Sequence, residues 1–384
     1  MSPPPARQAR RRLSPIMPIL RLLADDLTGA LDTSVEFVGL CGPIEIGLGD
    51  GLVADGKACL AIDSGTRERS AAEAIAIVER FAPLLKGADI AFKKVDSLFR
   101  GPWAAELAAC FRLGYWRHCI VAPAFPHHGR RTRNGRQIMR TADGSWRDVS
   151  GDLAETLKVE GLPASLAAVG DGLADGVSIF EAETDADLDG IVALARQARG
   201  PVLWCGTGGL ARALARGREV GASRILERPV LGLFGSDQPV TRAQLEACGS
   251  SWVEIREDGD VDAVKHGLNQ TGVALVSVDL PAGLDRGDAA ARIGKTLGSV
   301  AKALPAPGTV IVAGGETLRG LCSSLGAEAL RVTGQVAPGL PRSVISGGHW
   351  DKVQVISKSG AFGGPDLWRD LLVENGLMVE GSKA

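Results

Sequence analysis

The sequence predicts an α/β protein of two domains, each a mostly parallel sheet flanked by helices. Three observations predict it. Short apolar runs alternate with helical stretches along the chain, most runs are followed by Gly or Asp, and 384 residues exceed what one hydrophobic core ordinarily serves.

The apolar runs are ILRLLA (19–24), ACLAI (58–62), DIAFKKV (89–95), CIVAPA (119–124), VSIFEA (177–182), PVLWC (201–205), VLGLF (230–234), VALVSV (273–278), TVIVA (309–313) and VQVIS (353–357). Runs this short read as strands buried on both faces. Between them, 70–86, 185–199, 208–216, 239–248, 288–303, 316–330 and 365–374 read as helices. Strands alternating with helices imply a parallel sheet, and ligands of such sheets bind beyond the carboxyl ends of the strands.

The polar stretch RGREVGASRILERP separates two α/β sets. We therefore expect a tail over 1–17, a first domain over 18–215, a hinge over 216–229 and a second domain over 230–384. The tail is rich in Pro and Arg and has too little apolar material to bury a core.

Composition excludes several classes. With 43 Lys and Arg against 45 Asp and Glu, the net charge is −2, and the one dense basic run lies in the tail, so no nucleic-acid partner is expected. No run is long enough to span a membrane. The seven cysteines are scattered and never form C-x-x-C, which fits reduced thiols in a cytoplasmic protein. Homodimerisation stays open.

In the first half, ADDLTGA (24–30) puts Asp25 and Asp26 at a strand end. Adjacent carboxylates repel unless a cation or proton intervenes, although one of them can simply cap the next helix. DSGTR (63–67) adds Ser64, Thr66 and Arg67. KKVDSLFRG (93–101) brings Lys93, Lys94, Asp96 and Arg100 together. Lysine in a buried strand must be paired or face a cleft, and Arg100 can present a bidentate fork to a carboxylate or phosphate. APAFPHHGRRTRNGRQ (122–137) adds Arg130, Arg131, Arg133 and Arg136, a positive field or a solvated loop. His127 and His128 lack a third ligand at metal spacing, so no metal site is assigned to them.

In the second half, Gly314, Gly315, Glu316 and Thr317 follow a strand and open a helix. Ser236 follows another strand, and Gly360 a third. Glycines let backbone N–H groups approach a phosphate, so the three strand ends fit a nucleotide cradle. No P-loop pattern occurs. Residues 206–211, GTGGLA, fit G-x-G-x-x-A, which keeps a nicotinamide-dependent oxidoreductase as an alternative.

In order, ADDLTGA, DSGTR, KKVDSLFRG, APAFPHHGR (122–130), GTGGLA, GSDQPVT (235–241), GGET (314–317) and KSGAFG (358–363) resemble the motifs of the four-carbon acid sugar kinase family, across nearly the whole chain beyond the tail. The resemblance implies a sugar-acid domain and an ATP domain facing each other across a cleft, and ATP with Mg²⁺ as cofactors. It implies Asp25, Arg67, Lys94 and Arg100 on the substrate side, with Asp26 or Asp96 as catalytic base. Ser236, Gly314, Gly315, Glu316, Thr317 and Gly360 would line the ATP side. Two motifs depart from the family pattern. Asp-Ser-Leu-Phe-Arg-Gly (96–101) replaces a hydroxyl and adds an aromatic, and Asp237-Gln238 replaces Cys-Ser. A non-catalytic ligand-binding protein is the reading these departures leave open.

Overall fold

The computed structural model describes residues 17–379 apart from 49–58, 219, 237, 257–260, 282 and 361; most of the expected tail and Asp237 lie outside the described residues.

The first half contains β1 (Leu20–Ala24), α1 (Leu27–Cys41), β2 (Ile44–Leu48), β3 (Cys59–Asp63), α2 (Ala71–Phe81), β4 (Ile90–Lys94), α3 (Trp103–Arg112) and β5 (His118–Ala122). An arm of β6 (Arg130–Arg133), β7 (Arg136–Arg140) and β8 (Trp146–Asp152) follows, then α4 (Leu153–Val159), β9 (Ala164–Ala167), β10 (Gly176–Phe180), α5 (Asp185–Ala195), β11 (Val202–Gly206) and α6 (Gly208–Ala215). The second half contains β12 (Val230–Phe234), α7 (Pro239–Glu246), β13 (Trp252–Ile255), α8 (Val261–Thr271), β14 (Val273–Val278), α9 (Arg286–Ala303), β15 (Thr309–Ala313) and α10 (Gly315–Leu325). It ends with β16 (Ala329–Ala337), β17 (Leu340–Ser346), β18 (Gln354–Lys358) and α11 (Leu367–Glu374).

Each apolar run forms a strand within two residues of its expected position, and these strands pair parallel with one another, among β1, β3, β4, β5, β10 and β11 and among β12, β14, β15 and β18. The helix expected over 316–330 is shorter. Gly326 turns left-handed (φ 67°), its N–H donates to the Cys322 carbonyl, and β16 begins at Ala329.

The two sheets are joined. Fifteen strands form one sheet in the order β13-β14-β12-β15-β18-β17-β16-β2-β3-β1-β4-β11-β5-β10-β9. The seam is the antiparallel pair β2–β16, with Ile44 opposite Val332 and Ile46 opposite Leu330. Three antiparallel pairings (β2–β16, β16–β17 and β17–β18) reverse the strand direction between the halves. Six strand-to-strand steps separate β15 from β1. Twist of about 20–25° per step accumulates to roughly 120–150°, which turns the carboxyl end of β15 back toward that of β1. One apolar cluster runs beneath both halves, from Leu22 and Ile46 through Leu330 to Val312 and Leu231.

Segment 216–229 lies along the second half. The Ala222 N–H donates to the Gln335 carbonyl (2.8 Å), Arg342 Nη1 donates to the Ser223 and Ile225 carbonyls (2.7 and 2.8 Å), and Leu226 is buried.

Candidate active site

The carboxyl end of β1 is tied to that of β3 by backbone. The Thr66 and Arg67 N–H groups donate to the Asp25 carbonyl at 3.0 and 3.2 Å. This brings the Arg67 guanidinium over both aspartates. It donates to Asp25 through Nε (2.7 Å) and Nη2 (3.0 Å) and to Asp26 through Nη1 (2.5 Å), and it lies 3.6 Å from Asp96. Asp26 also caps α1, accepting from the Gly29 N–H at 2.8 Å. The capping role and the clustered carboxylates are therefore features of one residue.

The aspartates differ electrostatically. Burial pushes the Asp25 carboxyl up, but Arg67 and Lys94 outweigh it and hold Asp25 low. Burial and the neighbouring Asp25 charge raise Asp26 despite Arg67. Burial opposes ionisation of Asp96 too, yet the Arg100 fork and Arg67 hold it well below the usual carboxylate range. Asp32, further along α1, is pushed up to about 7 by burial, with one carboxyl oxygen unpartnered.

Lys93 and Lys94 point to opposite faces of β4. Lys93 is sealed in the core against Glu106 of α3 at 2.7 Å, whereas Lys94 extends beneath the start of α1, its Nζ donating to the Val95 carbonyl at 2.8 Å. Arg100 turns its fork to a carboxylate of the protein itself. It closes on Asp96 with two bonds of 2.8 Å, while the side chain remains 54% exposed. The basic loop is paired likewise. Arg131 and Arg133 pair with Glu183, and Arg136 with Asp148, in and beside the β6–β8 arm. Arg130 is half-buried, its Nε unpartnered, and burial lowers its pKa. Phe99, the added aromatic, is buried with its ring centroid 4.6 Å from that of Trp103, so it packs into the core.

In the second half, α10 starts at Gly315 with Glu316 exposed in its first turn. Thr317 is buried between Gly235 and Gly314. Gly360 packs against Ser236 so closely that a Cβ there would collide with Ser236 Oγ. Lys358 lies beneath this loop and was not anticipated as part of it.

The two half-sites meet. A Cβ on Gly315 would collide with Thr28 Oγ1, so the start of α10 touches the start of α1 two residues from Asp26. Arg319 of α10 pairs with buried Asp63 at the end of β3 and packs on Gly65. The His128 ring lies 6.3 Å from that of Phe362. Asp63 and Arg319 escaped the sequence reading because neither stands out from an ordinary strand-end turn or an exposed helix face. The glycines of 206–211 are filled by protein: a Cβ on Gly209 would collide with the Ala124 carbonyl, and one on Gly208 would lie 3.1 Å from the Phe125 ring. These glycines thus serve close packing of α6 on the chain at Ala124–Phe125. Among the described residues, no three or more His, Cys, Asp or Glu side chains cluster to hold a metal, and no helix is long and apolar enough to cross a membrane.

Comparison with known proteins places these halves. The family model described as Sugar-binding N-terminal domain matches residues 20–156, and that described as Nucleotide-binding C-terminal domain matches residues 231–368. A D-threonate kinase of Cupriavidus necator is 33% identical, with 89% of this chain and 94% of the relative covered. A D-threonate kinase of Bordetella bronchiseptica is 29% identical (91% and 96% covered), and a 3-oxo-tetronate kinase of Pseudomonas fluorescens is 27% identical (92% and 96% covered). The fold is shared with a solved structure from Salmonella typhimurium LT2, with TM-score 0.71, 20% identity and coverage of 92% and 99%. Full-length similarity to these kinases, with both domain matches in order, shows that the chain belongs to the four-carbon acid sugar kinase family.

Proposed function

We propose that the chain transfers the terminal phosphoryl group of ATP to a hydroxyl of a four-carbon sugar acid. One observation carries the reading: the N-terminus of α10, in the nucleotide-binding half, abuts the N-terminus of α1, in the sugar-binding half, beside Asp26. Two helix N-termini that converge on one point offer N–H groups and two positive dipole ends to a transferring phosphoryl group. Catalysis of this reaction is mainly positioning and charge stabilisation.

Asp26 is the base this arrangement favours. Its raised pKa brings it nearer the pH range of a proton acceptor, whereas Asp96 is held ionised by Arg100 and Arg67 and is a weak acceptor. Arg67 orients Asp26, and Arg100, with Lys94 behind it, meets the substrate carboxylate by exchanging part of its contact with Asp96. Gly314, Gly315, Ser236 and Gly360 form the phosphate side, with Thr317 supporting it from below. Glu316 suits Mg²⁺, which commonly binds one or two carboxylates together with substrate phosphates. When bound, Mg²⁺ supplies charge neutralisation on those phosphates.

The test is ADP release measured with ATP and a panel containing D-threonate, D-erythronate and 3-oxo-tetronate. Turnover on at least one of them supports the reading. No turnover with any four-carbon acid, by protein that melts cooperatively, overturns it.

A further inference from the structure

We propose that Lys358 is a positioning residue for the nucleotide phosphates: it turns the Ser359–Gly360 peptide so that the Gly360 N–H faces outward, and it lends that loop a buried positive charge. The proposal rests on the reading of the second half as the ATP side, and it concerns a residue to which that reading gives no role.

Lys358 is the last residue of β18 and only 1% exposed. Its ammonium donates to the Gly360 carbonyl (2.9 Å) and the Ser359 carbonyl (3.2 Å) and lies 3.4 Å from Thr241 Oγ1. Thr241 Oγ1 donates to the same Gly360 carbonyl at 2.8 Å. A trans peptide places its C=O and N–H on opposite sides of the plane. With the Ser359 carbonyl drawn inward to the ammonium, the N–H of Gly360 on the same peptide turns outward. Ser236 stands against the outer side of this loop, where a Cβ on Gly360 would strike its hydroxyl. An outward N–H beside a hydroxyl makes one side of a cradle for a polyphosphate.

The charge argues in the same direction. A buried ammonium is costly unless a counter-charge neutralises it. No carboxylate forms an ion pair with Lys358 among the described residues; its partners are two carbonyls and a hydroxyl. Lys93 shows the contrast, since the equally buried ammonium of β4 has Glu106 at 2.7 Å. Around Lys358, α7 presents Thr241 and Gln244, the end of β12 presents Ser236, the end of β15 presents Gly314, and none of these titrates. The acidic residue nearest in the sequence of α10, Glu316, is exposed and forms no ion pair with it. Burial lowers the pKa of Lys358 to about 8, and a bound polyphosphate would favour the protonated form and raise it again.

The experiment compares wild type with K358M. In ADP-release assays, KM for ATP rises about tenfold or more in K358M while KM for the sugar acid stays within about twofold. By calorimetry, ADP affinity of the wild type falls as pH rises through about 8, and K358M is flat over the same range. A folded K358M with unchanged KM for ATP overturns the proposal. If K358M does not melt cooperatively, the wild-type ADP titration decides alone, and a flat profile overturns the proposal. A wild type without turnover on any sugar acid, but with ADP binding that depends on Lys358, removes the kinase reading and upholds the role of Lys358.

Discussion

Arg319, on the second turn of α10, forms an ion pair with Asp63 at the end of β3, so a side chain of the nucleotide-binding half closes on a fully buried carboxylate of the sugar-binding half. Gly315, which opens the same helix, touches Thr28. The pair fixes how the two half-sites face each other. Arg319→Ala leaves Asp63 buried and uncompensated. We expect kcat/KM to fall about 10–100-fold for both substrates together, with Arg319→Lys recovering part of it, because a single ammonium cannot reproduce the planar fork. Steady-state kinetics with each substrate varied in turn checks this. A change confined to one KM would contradict a role in joining the halves.

The contact of Gly315 with Thr28 gives a rescue experiment. Gly315→Ala adds a methyl where Thr28 Oγ1 stands, and is expected to lower kcat/KM at least about tenfold through misplacement of the two half-sites. Thr28→Ala in the same chain removes the colliding hydroxyl. The double variant should recover most of the loss; recovery failing, the halves are not held by this approach.

Asp26→Asn and Asp96→Asn should separate by kinetic parameter. Removal of the base costs about 10²–10⁴-fold in kcat. Asp96→Asn frees Arg100 from its carboxylate and should act mainly on KM for the sugar acid, by about tenfold. The pH profile follows from the same geometry. The Asp26 pKa is raised, so the active ionised form is lost as pH falls through a value above the ordinary 3.8, and kcat/KM drops on that limb. Asp96 is held low and stays ionised there, so it adds no limb. Equal damage from both substitutions in kcat would refute the division of roles.

The Lys93–Glu106 pair is a matter of folding. Both side chains are sealed in the core, and Glu106→Ala leaves an ammonium there without its counter-charge. We expect a loss of about 3–5 kcal/mol by chemical denaturation, whereas Lys93→Met with Glu106→Met together should return most of it. A mild effect of Glu106→Ala would mean that Lys93 reaches solvent.

The sequence carried the core strands plainly, because strands covered on both faces must be continuously apolar. Asp25, Asp26, Arg67, Lys94 and the glycines of 314–315 and 360 are conspicuous in it as well, as charge or bare backbone at the end of such a strand; their roles in binding are the proposal made above. It did not carry β2, β16 and β17. Ile44–Leu48 is broken by Glu45 and Gly47 and so is not a continuous apolar run, and Ala329–Ala337 alternates buried with partly exposed residues and so hides among loops. Nor could it show that Arg100 closes on Asp96, or that Arg131, Arg133 and Arg136 are neutralised within and beside their own arm, because a fork's partner is chosen by three-dimensional reach. The pairing of Asp63 with Arg319 joins segments far apart in the chain, and no local pattern announces it; Lys358 opens the KSGAFG motif, but its burial beneath the loop is set by the fold.

The seam between β2 and β16 has a further meaning for the chain as a polymer. Every open sheet ends in two rows of unsatisfied amide groups that invite strangers, and here one such row from each half is consumed by the other. Severed from its partner, either half would uncover a fresh adhesive border. The price of dividing this protein is thus paid in solubility, even where each piece keeps its own interior.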